Sequence, residues 1–136
     1  SEADMKTIGH MRRYGYFAGM AFQIVDDILD IVSTDEKLGK PAGSDLLNGH
    51  LTLPILHIKD DPQFVPYMKK AFAHTLSETE RQEMLQYIRQ SGAIEKSQAL
   101  SDRYLEKALE EISHLPNNKA KKAFHQIAEF IGERKY

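Results

Sequence analysis

Between about Thr7 and about Val32 the apolar or small residues Ile8, Met11, Gly15, Ala18, Phe22, Val25, Leu29 and Val32 recur at alternating spacings of three and four. An α-helix brings such a series onto one side, so a long helix with a buried seam is the first element the chain demands. Gln23, Asp26 and Asp30 form a second stripe, roughly 90° round the same cylinder at about 100° per residue. Asp27 flanks that stripe. Gly19 lies on it one turn earlier, where a missing side chain leaves room close to the backbone. The polar stripe borders the core, which suits the wall of a cavity better than a fully solvated back.

Asp26, Asp27 and Asp30 crowd into five residues at the end of this helix. Carboxylates one turn apart repel by about 2–3 kcal/mol at roughly 6 Å and an effective dielectric near 20. The C-terminal end of a helix also disfavours negative charge. A bound cation reverses both penalties, and Mg²⁺ fits best. It takes hard oxygen ligands, is held by one or two carboxylates, and completes its shell with water and substrate phosphates. The chain has no cysteine and no histidine beside the cluster, which argues against zinc. Three acids taken alone read better as a solvated helix end; the position beside the core seam, Gln23 and the lysine loop favour the metal reading.

The pattern stops at Ser33-Thr34-Asp35, and residues 36–44 (Glu-Lys-Leu-Gly-Lys-Pro-Ala-Gly-Ser) are loop by composition. Glycines and a proline around Lys40 let the backbone present that ammonium to a nearby anion, and lysine is a good phosphate ligand as a compact point charge. In isolation Lys40 reads as a solvated surface lysine. Asp45 opens a short turn that Asn48-Gly49 closes.

Thr52-Leu53-Pro54 marks a helix start, and Asp60-Asp61-Pro62 is turn chemistry. Phe64, Val65, Met68, Ala71 and Phe72 form a short amphipathic helix. Ser77-Glu78-Thr79-Glu80 is a capping box for a helix bearing Met84, Leu85 and Ile88. A long helix follows from Ala93 to about Leu115, and Pro116-Asn117-Asn118 separates it from a last helix carrying Phe124, Ile127, Phe130 and Ile131. No run alternates as a strand does. The expected fold is all-α, as one helical domain over residues 1–136: helix about 7–32, loop about 33–51, and C-terminal helices about 52–134.

Eighteen basic against twenty acidic residues leave a net charge of −2, without a nucleic-acid footprint. There is no signal-peptide pattern and no apolar run that spans a bilayer. The absence of cysteine excludes a disulfide framework and is compatible with the cytoplasm, the expected location. The remaining histidines, such as His10, His57 and His114, share no metal-ligand spacing. The long helix begins almost at once after Ser1-Glu2-Ala3-Asp4, as if the chain were entered partway through a larger fold.

Phe22-Gln23-x-x-Asp26-Asp27-x-x-Asp30, then Gly39-Lys40, Ser44-Asp45-Leu46 and Gly49-x-x-Thr52-Leu53-Pro54, resembles the second aspartate-rich motif of the all-trans polyprenyl diphosphate synthases and the segment that follows it. Ser91-Gly92-Ala93-Ile94 and the basic end Arg134-Lys135-Tyr136 resemble the later part of such chains. The nearest subfamily is the catalytic component of bacterial heptaprenyl diphosphate synthases. The resemblance implies a helical isoprenoid-synthase fold and a transferase that joins isopentenyl diphosphate to an allylic diphosphate, releasing pyrophosphate. It also implies Mg²⁺ as cofactor and a homo- or heterodimer in the complete enzyme. By resemblance Asp26 is the leading Mg²⁺ ligand, Asp27 and Asp30 share the metal site, and Gln23 and Lys40 contact the allylic diphosphate.

His50 stands where the family usually carries a second lysine. A histidine supplies only partial positive charge near neutral pH. The family's first aspartate-rich motif is absent from the sequence, as are the basic residues that follow it. The resemblance therefore implies the C-terminal part of a synthase, inactive alone. The alternative is a non-catalytic helical partner of a heteromeric synthase.

Overall fold

The computed structural model describes residues 2–134. Among the described residues all regular structure is helical: α1 (Glu2–Val32), α2 (Asp35–Leu38), α3 (Ser44–Leu47), α4 (Leu53–Ile58), α5 (Val65–Phe72), α6 (Glu78–Gln90), α7 (Ala93–Ser113) and α8 (Lys119–Glu133). The all-α expectation holds. Within the segment read as loop over about 33–51, α2 and α3 are single helical turns.

Local chemistry sets the boundaries. Glu2 and Asp4 place acid in the first turn of α1, where the helix dipole favours it. The Thr34 hydroxyl accepts from the Lys37 N–H to start α2, and Gly39 closes it in the left-handed region at φ 70°. The capping box of α6 is present on both sides: Ser77 Oγ accepts from the Glu80 N–H, and the Glu80 carboxylate accepts from the Ser77 N–H. Asn118 Oδ1 accepts from the Lys121 N–H to start α8. Thr52 holds the N-cap position of α4 with proline in the first turn, without a side-chain capping bond.

Two compact units divide the chain. One comprises the described residues through Val25 together with those from Ala99 onward. In it α7 runs antiparallel to α1, with the Ser101 hydroxyl donating to Ala21 O at 3.3 Å and His10 Nδ1 meeting Glu111 Oε2 at 2.7 Å. Tyr14 donates to Phe124 O, and its ring packs on that of Phe124 at 4.8 Å between centroids, which docks α8. The other unit comprises Asp26–Gln98. There α3 packs on α5, and α4 and α5 pack on α6. Phe64, Ile55, Met84, Leu85 and Ile88 are fully buried at its centre, each contributing about 1.5–3 kcal/mol by leaving water.

The seam of α1 is turned from the expected register. Ala18 and Val25 are buried, but Ile8, Met11 and Phe22 are 54%, 39% and 42% exposed, and Gly15 is open. The buried stripe is Tyr14, Ala18, Ala21, Val25 and Ile28. This second series has the same alternating spacing, shares Ala18 and Val25 with the first, and is offset from it by roughly 60° on the helical wheel. Ala21 distinguishes the observed register: its small side chain lets α7 approach until Ser101 reaches the Ala21 carbonyl. Ile8, Met11, Gly15 and Phe22 of the expected seam thus lie on the open face of α1, while Ala18 and Val25 stay in the core.

Candidate functional site

The last turn of α1 is locked to the loop after it by one carboxylate. Asp30 is only 2% exposed, although it is an acid near a helix C-terminus. Its Oδ1 accepts from the Ser44 hydroxyl at 3.3 Å and faces Lys40 Nζ at 3.4 Å. Its Oδ2 accepts from the Asp45 N–H at 3.3 Å, and its main-chain carbonyl accepts from the Gly43 N–H at 2.8 Å. Burial, and then the like charge of Asp45, push the Asp30 carboxyl above its ordinary range; the Asp45 N–H and the Lys40 ammonium only partly offset this. The site thus sets two carboxylates, Asp30 and Asp45, against the single ammonium of Lys40.

Lys40 lies between two acids, with Nζ 3.4 Å from Asp30 Oδ1 and 3.5 Å from Asp45 Oδ1. Burial pulls its ammonium down, but the two carboxylates outweigh that and hold it above its ordinary value. It is a fixed cation, nearly half exposed, so its ammonium remains within reach of an anion in solvent.

Gly43 shapes the turn that makes this possible. It sits at φ 80°, and a Cβ there would lie 3.0 Å from Leu85 Cδ2. Glycine is needed both for the backbone conformation and for the close approach of α6.

The other expected residues fall as follows. Asp26 is half-buried, one turn before Asp30 on α1, and Asp27 is buried at 9% exposure. Gln23 is exposed one turn before Asp26. By helix periodicity Asp26 continues the series Ile8, Met11, Gly15, Gly19 and Phe22 along α1. His50 is exposed after Gly49, and its N–H donates to Asp45 O at 2.8 Å. The structure thus brings Asp30, Lys40, Ser44 and Asp45 into one network. Among the described residues no three His, Cys, Asp or Glu side chains form a ready-made metal cage. The donor types nonetheless fit Mg²⁺ by chemistry, being hard carboxylate oxygens on consecutive turns of α1.

Three residues not singled out in the sequence hold the loop. Asp35 Oδ1 accepts from the Ala42 N–H at 2.8 Å. Arg81, 7% exposed, donates to Ala42 O at 2.9 Å, to Asp35 Oδ2 at 3.1 Å and to Glu78 through two nitrogens. Arg89 donates twice to Ile31 O, at 2.8 and 3.2 Å. The signal for Arg81 was present in the sequence: with Met84, Leu85 and Ile88 it falls on the apolar stripe of α6, where an arginine needs a partner. His10 and His114, unrelated by spacing, meet as stacked rings 4.8 Å apart.

Comparison with known proteins matches residues 1–91 to the polyprenyl synthetase family. Heptaprenyl diphosphate synthase component 2 of Bacillus subtilis is 40% identical over 136 residues, covering all of this chain and 39% of the relative. The protein of the same description from Geobacillus stearothermophilus is 48% identical over 126 residues, covering 90% of this chain and 38% of that one. The crystal structure of heptaprenyl diphosphate synthase from Staphylococcus aureus superposes with a TM-score of 0.83 at 41% identity, over 95% of this chain and 41% of that one. The chain therefore spans about two fifths of the length of these relatives.

Proposed function

Because the chain belongs to the polyprenyl synthetase family, we propose that the Asp-rich end of α1 and the Lys40 loop are one half of a Mg²⁺-dependent prenyltransferase site. The reaction is condensation of isopentenyl diphosphate with an allylic diphosphate, with release of pyrophosphate. The observation that carries this reading is the network in which the buried Asp30 fixes Lys40 beside the aspartates while leaving its ammonium near solvent.

Asp26 and Asp27 are the proposed Mg²⁺ ligands, with Asp30 one turn on completing the set. When bound, Mg²⁺ neutralises the charge that grows on the departing pyrophosphate. Lys40 donates to the diphosphate as a point charge already in position, so no reorganisation is required as the allylic C–O bond lengthens. Gln23 offers amide hydrogens to the same diphosphate from the turn before Asp26, and His50 lies at the far end of the loop.

The opposing half of the site is expected on a further stretch of polypeptide. The relatives described as component 2 favour a heteromeric assembly, in which this chain contributes its Asp-rich jaw or serves as a non-catalytic partner. No helix among the described residues is long and apolar enough to cross a membrane.

Calorimetric titration of a bisphosphonate in the presence of Mg²⁺ tests the metal assignment. The expected result is Mg²⁺-dependent binding that Asp26→Ala weakens at least tenfold, the loss of one charged contact being worth roughly 1.5–3 kcal/mol. Equal binding by Asp26→Ala would overturn the assignment. It would leave the helical partner as the better reading.

A further inference from the structure

The loop that carries Lys40 is gripped along one face of α6. Arg81, Leu85 and Arg89 lie four residues apart and so share a side of that helix. Arg89 donates twice to Ile31 O, satisfying a carbonyl in the last turn of α1 that has no helical partner. Leu85 meets the bare Cα side of Gly43, where a methyl group would already lie within 3.0 Å. Arg81 takes Ala42 O at 2.9 Å.

The grip at Arg81 is a closed ring. Its guanidinium binds Asp35 Oδ2, the other oxygen of Asp35 accepts from the Ala42 N–H, and Ala42 O returns to Arg81. Asp35 and Ala42 flank Lys40 on either side in the chain, so the ring staples together the two ends of the turn that presents it. Arg81 is itself held by both carboxylate oxygens of Glu78. A fork of N–H donors in a fixed plane can serve a carbonyl and two carboxylates at once, and lysine cannot.

We propose that Arg81 is a positioning residue for diphosphate binding. By closing the ring with Asp35 and Ala42 it holds Gly43 and Asp45 on Asp30, and so fixes the Lys40 ammonium between Asp30 and Asp45. The inference rests on the reading that Lys40 receives a diphosphate, and its test separates the two. Backbone amide exchange in the 136-residue chain reads the loop without any ligand. In Arg81→Met the Ala42, Gly43 and Asp45 amides should lose protection by roughly 100-fold while those of α7 keep it.

Affinity for inorganic pyrophosphate with Mg²⁺, measured by chemical-shift titration, should fall roughly tenfold in Arg81→Met. Arg81→Lys should not rescue it. A purely structural role predicts that this loss is unchanged when Lys40 is already methionine; positioning through Lys40 predicts that most of it disappears in the double variant. Asp35→Ala opens the same ring at a half-exposed side chain, so the test survives if Arg81→Met fails to fold. Unchanged loop protection in both variants, or full additivity with Lys40→Met, would overturn the inference. Wild-type affinity in Lys40→Met together with lost loop protection in Arg81→Met would overturn the functional reading and leave the brace standing.

Discussion

Replacing Lys40 by methionine keeps the bulk of the side chain and removes one charge from a site that is short of positive charge. In the fold, Nζ is 3.4 Å from Asp30 and 3.5 Å from Asp45. At an effective dielectric near 20 each contact is worth about 5 kcal/mol in gross Coulomb energy. Lys40 is 46% exposed, so solvent screening and the cost of fixing a long side chain remove most of that. What remains is the penalty of leaving Asp30 buried beside Asp45 without a cation, a net loss of about 1–2 kcal/mol in urea unfolding. For ligand binding, the loss of one charged donor is worth about 1.5–3 kcal/mol. Lys40→Met should therefore bind pyrophosphate with Mg²⁺ about 10- to 150-fold more weakly at constant ionic strength. Lys59→Met is the control: Lys59 pairs with the exposed Asp60 at 3.1 Å and should leave affinity unchanged. A folded Lys40→Met variant that binds within twofold of the parent chain, or no worse than Lys59→Met, would refute the assignment of Lys40.

Gly43→Ala meets both a left-handed backbone and the Leu85 side chain, and should cost about 1–2 kcal/mol in urea unfolding. Gly15→Ala, in a helix interior with open space around the added methyl, should instead stabilise by roughly 0.5–1 kcal/mol; equal signs for the two would contradict the loop geometry. Hydrogen bonds from Arg81 hold the Glu78 carboxyl down to about 2, and the Ala42 N–H with Arg81 holds Asp35 below its ordinary value. Folded-state values below the unfolded ones mean that this stability is present above about pH 4.5 and is lost as pH falls towards 2. Glu78→Gln should flatten that acid limb of the urea midpoint, and an unchanged slope would show the network to be inert. Pure 136-residue chain should not incorporate labelled isopentenyl diphosphate into a longer product, because one aspartate-rich half of the site is present; turnover would refute the half-site reading.

Elements with local signals were legible. The capping box at Ser77 and Glu80, the Asn118 cap and the Pro54 helix start each rest on chemistry confined to a few residues, and each helix begins where that chemistry puts it. The register of α1 was not legible. Two overlapping apolar series with the same spacing run along that helix, and the choice between them depends on Ala21 admitting α7, a partner some 80 residues away. Lys40 and Asp45 could be placed near the aspartates by sequence distance alone. What spacing could not reveal is that Asp30 would be buried as the latch of the loop, since its partners are a hydroxyl, a main-chain N–H and an ammonium from residues 40–45. Arg89 was invisible for a related reason: it grips the main-chain carbonyl of Ile31, and any residue can supply a carbonyl.

The central claim is that a divalent cation and a diphosphate meet at the end of α1. Mn²⁺ in place of Mg²⁺, added with pyrophosphate to ¹⁵N-labelled chain, reports that location through paramagnetic broadening of nearby amides. The account predicts broadening centred on residues 26–31 and 40–45, dependent on pyrophosphate and abolished by Asp26→Asn with Asp27→Asn. Broadening that is strongest at the exposed Asp60-Asp61 turn, or that survives the double substitution, would contradict it.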